Sequence, residues 1–261
     1  IPVSLIADLM GIEEEDYQQL IDWSSAIVLP YDANVPKEDR ALAERATTEF
    51  VEFLRGVIDR RRSAPGNDLI SSMLCAEDNG DRLTEDEIIS ISILTLNAGH
   101  EATVQALGNS LLALARNPDQ YALLTERPER ISSAVDELLR FDTPLQMFDR
   151  WVLEDCEIGG QLLAKGSKVG LLLGSANHDE LQFDGDTETL DLTRDSSKNI
   201  SFGAGMHRCV GAPLAQIELE TVLAVLASKV RTISLVGDLP KRKASLVFRG
   251  VASLNLRFSA K

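Results

Sequence analysis

Apolar residues recur at helical spacing from the start of the chain to Phe141, and only beyond it does the period shorten to two. Residues 2–10 and 13–29 read as two helices parted by Gly11. Pro36 to Arg62 forms a third, with Ala46, Phe50, Phe53, Leu54, Val57 and Ile58 on one face. A shorter helix is expected near 67–77, others after Pro118 and over Pro128–Phe141, and a long one from Thr84 to about Arg116. The long one opens with a capping box, Thr84 with Glu87, and at about 1.5 Å per residue it could cross a whole domain. Trp151–Leu153, Glu157–Ile158, Leu162–Leu163 and Lys168–Leu173 then read as short strands punctuated by Gly159–Gly160 and Lys165–Gly166. A last helix runs to about Lys229, and the alternating tail predicts a hairpin turned at Arg249–Gly250. The pattern is mainly α with a small β component, without internal repeat or low-complexity linker.

Composition changes this picture little. With 44% hydrophobic residues over 261 positions, the chain can build a sizeable core. Three cysteines, Cys75, Cys156 and Cys209, do not make a disulfide framework. A formal net charge of −15 argues against nucleic acid as a partner. The one dense basic run, Arg60–Arg62, closes a helix, where positive charge suits the C-terminus. No apolar run reaches the roughly 18 residues of a membrane span, and no signal-like segment opens the chain, so a cytoplasmic protein without membrane partners is expected.

Candidate chemistry concentrates in Phe202–Gly211, Phe-Gly-Ala-Gly-Met-His-Arg-Cys-Val-Gly. Gly203 and Gly205 permit positive φ and let a flat ligand approach the backbone. Ala212 and Pro213 open a helix, so Cys209 stands just ahead of a helix N-terminus, where free N–H groups favour an anionic sulfur. A soft thiolate there suits iron. A lone cysteine is more often a small buried hydrophobe. A cysteine hydrolase built from Cys209 and His207 is disfavoured, because residues two apart around a turn rarely reach nucleophile-to-base geometry and no orienting acid is evident.

Two other segments carry unusual residues. Glu137 and Arg140 lie at i and i+3 on one helix face, a spacing that usually gives a surface pair worth well under about 1 kcal/mol. In Asn97-Ala98-Gly99-His100-Glu101-Ala102-Thr103, Gly99 interrupts a helix at a cost of about 1 kcal/mol relative to alanine. Close packing of a neighbouring helix and close approach of a ligand are both adequate reasons for it.

The Phe202–Gly211 string resembles the cysteine-ligand loop of the cytochrome P450 superfamily, F-G-x-G-x-H-x-C-x-G, at every fixed position. The resemblance implies a P450 fold, with haem b held through the Cys209 thiolate and the loop residues Phe202 and Gly203 against it. Glu137 and Arg140 match the family's E-x-x-R pair, which is buried behind the haem loop, and Arg194 is a candidate third member. Arg150 and His207 match propionate partners. The Ala98–Thr103 segment is similar to the A-G-x-[ED]-T-T motif of the family's long central helix, so Ala98 and Gly99 would border the oxygen site and Glu101 would sit in proton delivery. Ala102 departs from the motif, since most members carry a threonine there. Proton delivery then falls to Thr103, an ordered water or a substrate hydroxyl.

By the same resemblance, residues 1–261 form one partial haem domain, the C-terminal two-thirds of a soluble bacterial-type member that lacks the N-terminal helices and strands. Such enzymes insert one oxygen atom from O₂ into a small, apolar substrate. Their electrons come indirectly from NAD(P)H, through a ferredoxin and its reductase. Arg208, Lys198 and Arg194 would then lend positive charge to the ferredoxin face. Core surface exposed along the missing part predicts dimerisation or segment exchange. The alternative is a haem-binding or structural remnant without turnover.

Overall fold

The computed structural model describes residues 1–32, 35–78 and 80–261. The chain divides into two compact units, Ile1–Val104 and Gln105–Lys261, with one helix continuing from the first into the second. The fold is mainly helical with short strands, as the periodicity implies.

The first unit holds α1 (Pro2–Met10), α2 (Tyr17–Ile27), α3 (Lys37–Ser63), α4 (Leu69–Cys75), the two-residue strands β1 (Glu77–Asp78) and β2 (Asp81–Arg82), and the start of α5 (Glu85–Arg116). Gly11 ends α1 in the left-handed conformation, φ 72°, as its position after the last periodic residue predicts. The α3 stripe turns Phe50, Leu54, Val57 and Ile58 into the core, where Trp23 stacks on Phe50 with centroids 5.2 Å apart. Arg61, from the basic run, has a specific role. Its Nε donates to Asp68 at 2.6 Å and its Nη2 to the Gly11 carbonyl at 2.7 Å, while Asp68 caps α4 by accepting from the Ser71 amide. Helix-terminus electrostatics alone does not account for it.

The second unit packs α6 (Pro118–Glu126), α7 (Ile131–Phe141) and α9 (Ala212–Lys229) around Leu114, Leu124, Leu138, Leu219 and Leu223. Strands β3 (Met147–Trp151) and β6 (Lys168–Leu172) pair antiparallel with Arg150 opposite Val169, and β4 (Cys156–Ile158) pairs with β5 (Gln161–Leu163). The first of these strands therefore starts earlier than Trp151, and Val152–Leu153 lie outside it. The short helix α8 (Leu173–Ala176) follows β6 directly.

The tail does not form the expected hairpin. The last helix, α9, ends at Lys229 as expected, and Val230–Leu235 directly after it is strand β7, which pairs with β8 (Leu256–Ala260). Residues near Phe248 and Gly250 instead lie along the exit of α7, joined by an isolated bridge from Leu145 to Phe248 and by the Arg249 amide donating to Pro144 O. Local alternation signalled strand character correctly at Leu254–Phe258 but not at Leu246–Phe248, where only Phe248 forms an isolated bridge, and the partner of β8 is set by long-range packing of Ile233 into the core.

Candidate functional site

The Glu137–Arg140 pair is the most enclosed charge in the second unit. Both side chains are fully buried, with Arg140 Nε donating to Glu137 Oε2 at 2.6 Å and Nη2 to Oε1 at 2.9 Å. Burying such ions is costly unless every polar atom is answered. Here Ser196 Oγ donates to Oε2, the Asp191 amide to Oε1 at 3.1 Å and Arg194 Nε to Oε1 at 3.4 Å. Arg140 Nη1 reaches the carbonyls of Asn177 at 2.9 Å and Thr187 at 3.1 Å. Arg194 is thus an interior residue, and its expected place on a charged outer face is corrected: among the three cations proposed there, Lys198 and Arg208 are exposed.

That network anchors the cysteine loop. Asn177, itself buried, passes it on: its Oδ1 accepts from the Ile200 amide at 2.8 Å and its Nδ2 donates to Ser201 Oγ at 2.8 Å. Ser201 Oγ donates to Leu139 O on α7 at 2.9 Å. The two residues that precede Phe202 are therefore tied to the same helix that carries Glu137 and Arg140. Sequence spacing made the pair visible, but Asn177, Ser196 and Ser201 carry no local signal for joining it.

The loop beyond Ser201 has the geometry its glycines allow. Gly203 and Gly205 take φ of 69° and 67°, and at Gly205 no atom lies within 4 Å of where a Cβ would stand. The Cys209 amide donates to Phe202 O at 2.9 Å, closing the loop on itself. Cys209 is a free, exposed thiol three residues before α9, and Gly203 and Phe202 are half-buried beside it. His207 lies on an exposed turn of 3₁₀ helix, Gly205–His207, and Met206 and Val210 stand almost wholly in solvent. A glycine-built surface around one sulfur leaves room for a flat ligand that the sulfur could hold. Among the described residues no group of three or more His, Cys, Asp or Glu side chains gathers to hold a metal by itself.

In the first unit, α5 runs without interruption through Gly99. A Cβ there would stand 2.9 Å from Ile6 Cδ1, so close packing of α1 supplies the reason for the glycine. One face of this helix is nevertheless open. Ile91, Leu94 and Ala98 are exposed, and Gly99 and Ala102 are half-buried, although they are apolar. Glu101 and Thr103 are buried, and successive residues are turned about 100° around the helix axis, so Thr103 does not take the direction of Ala102. His100 is occupied, its Nδ1 lying 3.0 Å from Ser24 Oγ.

Asn97 was not singled out by its sequence. Its Oδ1 is buried and has no hydrogen-bond donor among the described residues, the condition of a polar atom that awaits a ligand or a water. Arg150, on β3, is exposed, donates to Asp149 O and lies over the Phe148 ring. The open helix face with Ala98, Gly99, Glu101, Ala102 and Thr103 belongs to the first unit. The cysteine loop, the buried pair and Arg150 belong to the second.

Comparisons with known proteins relate the chain to one family. Residues 6–234 match the family model described as Cytochrome P450. The polyketide biosynthesis cytochrome P450 PksS of Bacillus subtilis is 36% identical over 263 residues, 99% of this chain and 63% of that protein. The 6-deoxyerythronolide B hydroxylase of Saccharopolyspora erythraea is 36% identical over 261 residues, again with 63% of its own length covered. The solved structure of CYP109Q5 from Chondromyces apiculatus superposes with a TM-score of 0.89 at 34% identity, over 100% of this chain and 64% of that one. The chain thus spans about 63% of the length of these curated relatives.

Proposed function

Because the chain belongs to the cytochrome P450 family, we propose that it works as the haem-thiolate part of a monooxygenase, with Cys209 as the iron ligand. The single observation that carries this reading is the Phe202–Gly211 loop: an exposed sulfur, held by its own amide on Phe202 O, in front of an 18-residue helix. The residues present fit a haem. Gly205 leaves open space where a side chain would stand, Phe202 and Gly203 flank the sulfur, and a soft thiolate is the donor that such iron takes. Residues 1–261 are read as one partial haem domain, and NAD(P)H serves only indirectly.

A haem held through the Cys209 sulfur would supply the oxygen-activating redox chemistry, and a thiolate there would enrich it in electron density. The protein's own residues bind, orient and move protons. Exposed Ala98 gives α5 a small-residue surface that admits ligands near the backbone, and Gly99 borders it while its own Cα packs toward Ile6. Glu101 is the proton-carrying carboxyl on that helix. Ala102 places a methyl on the open face, so the hydroxyl in the proton path comes from water or from the substrate rather than from this position. Thr103 is the weaker substitute because its side chain leaves the helix in another direction. Arg150 and His207 are assigned to the propionates, which two exposed cationic or potentially cationic side chains could hold by charge-assisted hydrogen bonds.

The substrate is a small organic molecule, with names such as 6-deoxyerythronolide B hydroxylase among relatives giving the class of reaction. A ferredoxin is the assigned electron donor, with exposed Lys198 and Arg208 as its contacts. Among the described residues no helix is long and apolar enough to cross a membrane, and the three cysteines are free thiols, which suits a cytoplasmic setting. A haem protein without turnover is the second reading, favoured by the missing hydroxyl at Ala102.

The test is optical. Chain loaded with haem, reduced and exposed to carbon monoxide is expected to show a strongly red-shifted Soret band, and Cys209→Ser is expected to lose it. A histidine-like band, or an unchanged spectrum in the variant, overturns the assignment. Product formation with a ferredoxin system then separates the two readings.

A further inference from the structure

Away from the cysteine loop, the second unit surrounds a cavity of about 610 Å³ bounded by the ends of α5 and α7, the region of α8 and the chain around Arg242 and Arg249. Its charged lining is Arg116, Arg242, Arg249, Asp142 and Glu188, with His178 beside them. In a chain with 41 acidic and 26 basic side chains, a cavity where guanidiniums outnumber carboxylates runs against composition.

Asp142, just past the end of α7, is nearly buried and acts as the frame. Its Oδ1 accepts from Arg249 Nε at 2.7 Å and its Oδ2 from Arg242 Nη2 at 2.5 Å. Asn109 extends the frame from α5. Its Oδ1 takes Arg242 Nη1 at 2.7 Å, and its Nδ2 donates to Arg249 O at 2.8 Å and Asp142 O at 3.1 Å. The Arg249 amide is itself fixed on Pro144 O at 2.8 Å. Arg242 and Arg249 are therefore positioned before any ligand arrives, and for Arg249 little ordering cost remains on binding.

One carboxylate thus answers two guanidiniums. Arg249 engages Asp142 through Nε, which leaves its terminal nitrogens for a second acceptor. Glu188 does not neutralise the surplus, because it is largely in solvent and lies 3.0 Å from His178 Nδ1. Arg116, on the last turn of α5, has no ion pair or hydrogen-bond partner among the described residues. Forked N–H donors with surplus positive charge match the oxygens of a carboxylate or phosphate. We propose that this cavity is an oxyanion site for a small molecule bearing a phosphoryl or carboxylate group. Arg116 and Arg249 are its donors, and Asp142, Arg242 and Asn109 hold Arg249 in place. The site stands independently of the haem assignment, and testing it needs no haem.

Thermal unfolding of the chain is followed while chloride is replaced stepwise by inorganic phosphate or by succinate at constant ionic strength. Binding to the folded state raises the midpoint steeply at low anion and thereafter as the logarithm of its concentration, whereas exclusion from the surface raises it in proportion to concentration. The logarithmic form with phosphate identifies a phosphoryl ligand, and with succinate a carboxylate. Isothermal titration with the same anion, on wild type and on Arg116→Gln, measures the affinity directly. The variant is expected to bind about tenfold more weakly or worse, because a charged, forked donor is lost. Its fold should persist, since Arg116 has no internal partner, and far-ultraviolet circular dichroism checks that. Should it unfold, Arg116→Lys, which keeps the charge without the fork, replaces it with the same direction of effect. Midpoints that with both anions stay flat or rise only in proportion to concentration, or affinity unchanged in the variant, overturn the proposal.

Discussion

Single residues show where burial and chemistry disagree. Glu218, on α9, is buried, and its Oε2 has no hydrogen-bond partner among the described residues. Burial pushes its carboxyl up, above the ordinary glutamate range near pH 4.5. The folded chain therefore holds this proton more tightly than the unfolded one. Stability is unaffected below the unfolded value and declines as pH rises through the window between the two. Glu218→Gln cannot titrate, so it should escape that decline. Urea midpoints are expected to favour the variant more at pH 7 than at pH 4, with a neutral-pH gain on the order of 1 kcal/mol once the unpaired charge is gone. An equal gap at both pH values would remove the buried charge as the cause. Asp68 has the opposite sign: burial works to raise its carboxyl, but the Ser71 amide and hydroxyl and Arg61 together hold it below its usual value. Among residues, legibility followed chemistry. Cys209, Glu137 and Arg140 stood in short patterns whose spacing has a mechanism, whereas Glu218, Asn97 and Asn177 differ from ordinary helix and loop residues only in what surrounds them.

Elements were legible where helical spacing of apolar residues, a cap or a flanking proline marks them. Helices α3, α5, α7 and α9 lie within a few residues of the expected limits, and Thr84 caps α5 as its spacing predicts, with its hydroxyl and amide both donating to Glu87 Oε2 at 2.8 Å. The tail was not legible, because the pairing of β7 with β8 spans a long connection that no local alternation encodes. The connecting segment is fixed instead by close approach. At Gly250 a Cβ would stand 1.6 Å from Gln105 Oε1 and 2.4 Å from its Cδ, and Gln105 is buried. Gly250→Ala must displace that side chain, and overpacking of this kind costs roughly 1–3 kcal/mol. Shortening the obstacle should restore most of it. In a double-mutant cycle, Gly250→Ala in a Gln105→Ala background is expected to cost much less than in wild type. Equal costs in both backgrounds would place the strain elsewhere.

At the scale of the whole molecule, the decisive quantity is charge. Forty-one acidic and 26 basic side chains leave a net charge of −15, and the sequence pI is about 4.6. Surplus like charge repels across the compact state and works against folding, while it keeps copies of the chain apart in solution. Salt shortens the reach of that repulsion to about 8 Å at 0.15 M and about 3 Å at 1 M. Local ion pairs weaken at the same time, but the exposed ones contribute little, and the central pair of Glu137 and Arg140 is shielded by complete burial. The net effect of salt at pH 7 is therefore stabilising. Thermal midpoints at pH 7 should rise as sodium chloride is taken from about 0.05 to 0.5 M, and the rise should shrink near the pI, where the surplus has been titrated away. Chloride is used because sulfate and phosphate stabilise by exclusion from the surface and would hide the effect. A midpoint that falls with chloride at neutral pH would mean that specific ion pairs, rather than the overall surplus of carboxylates, dominate the electrostatics of this fold.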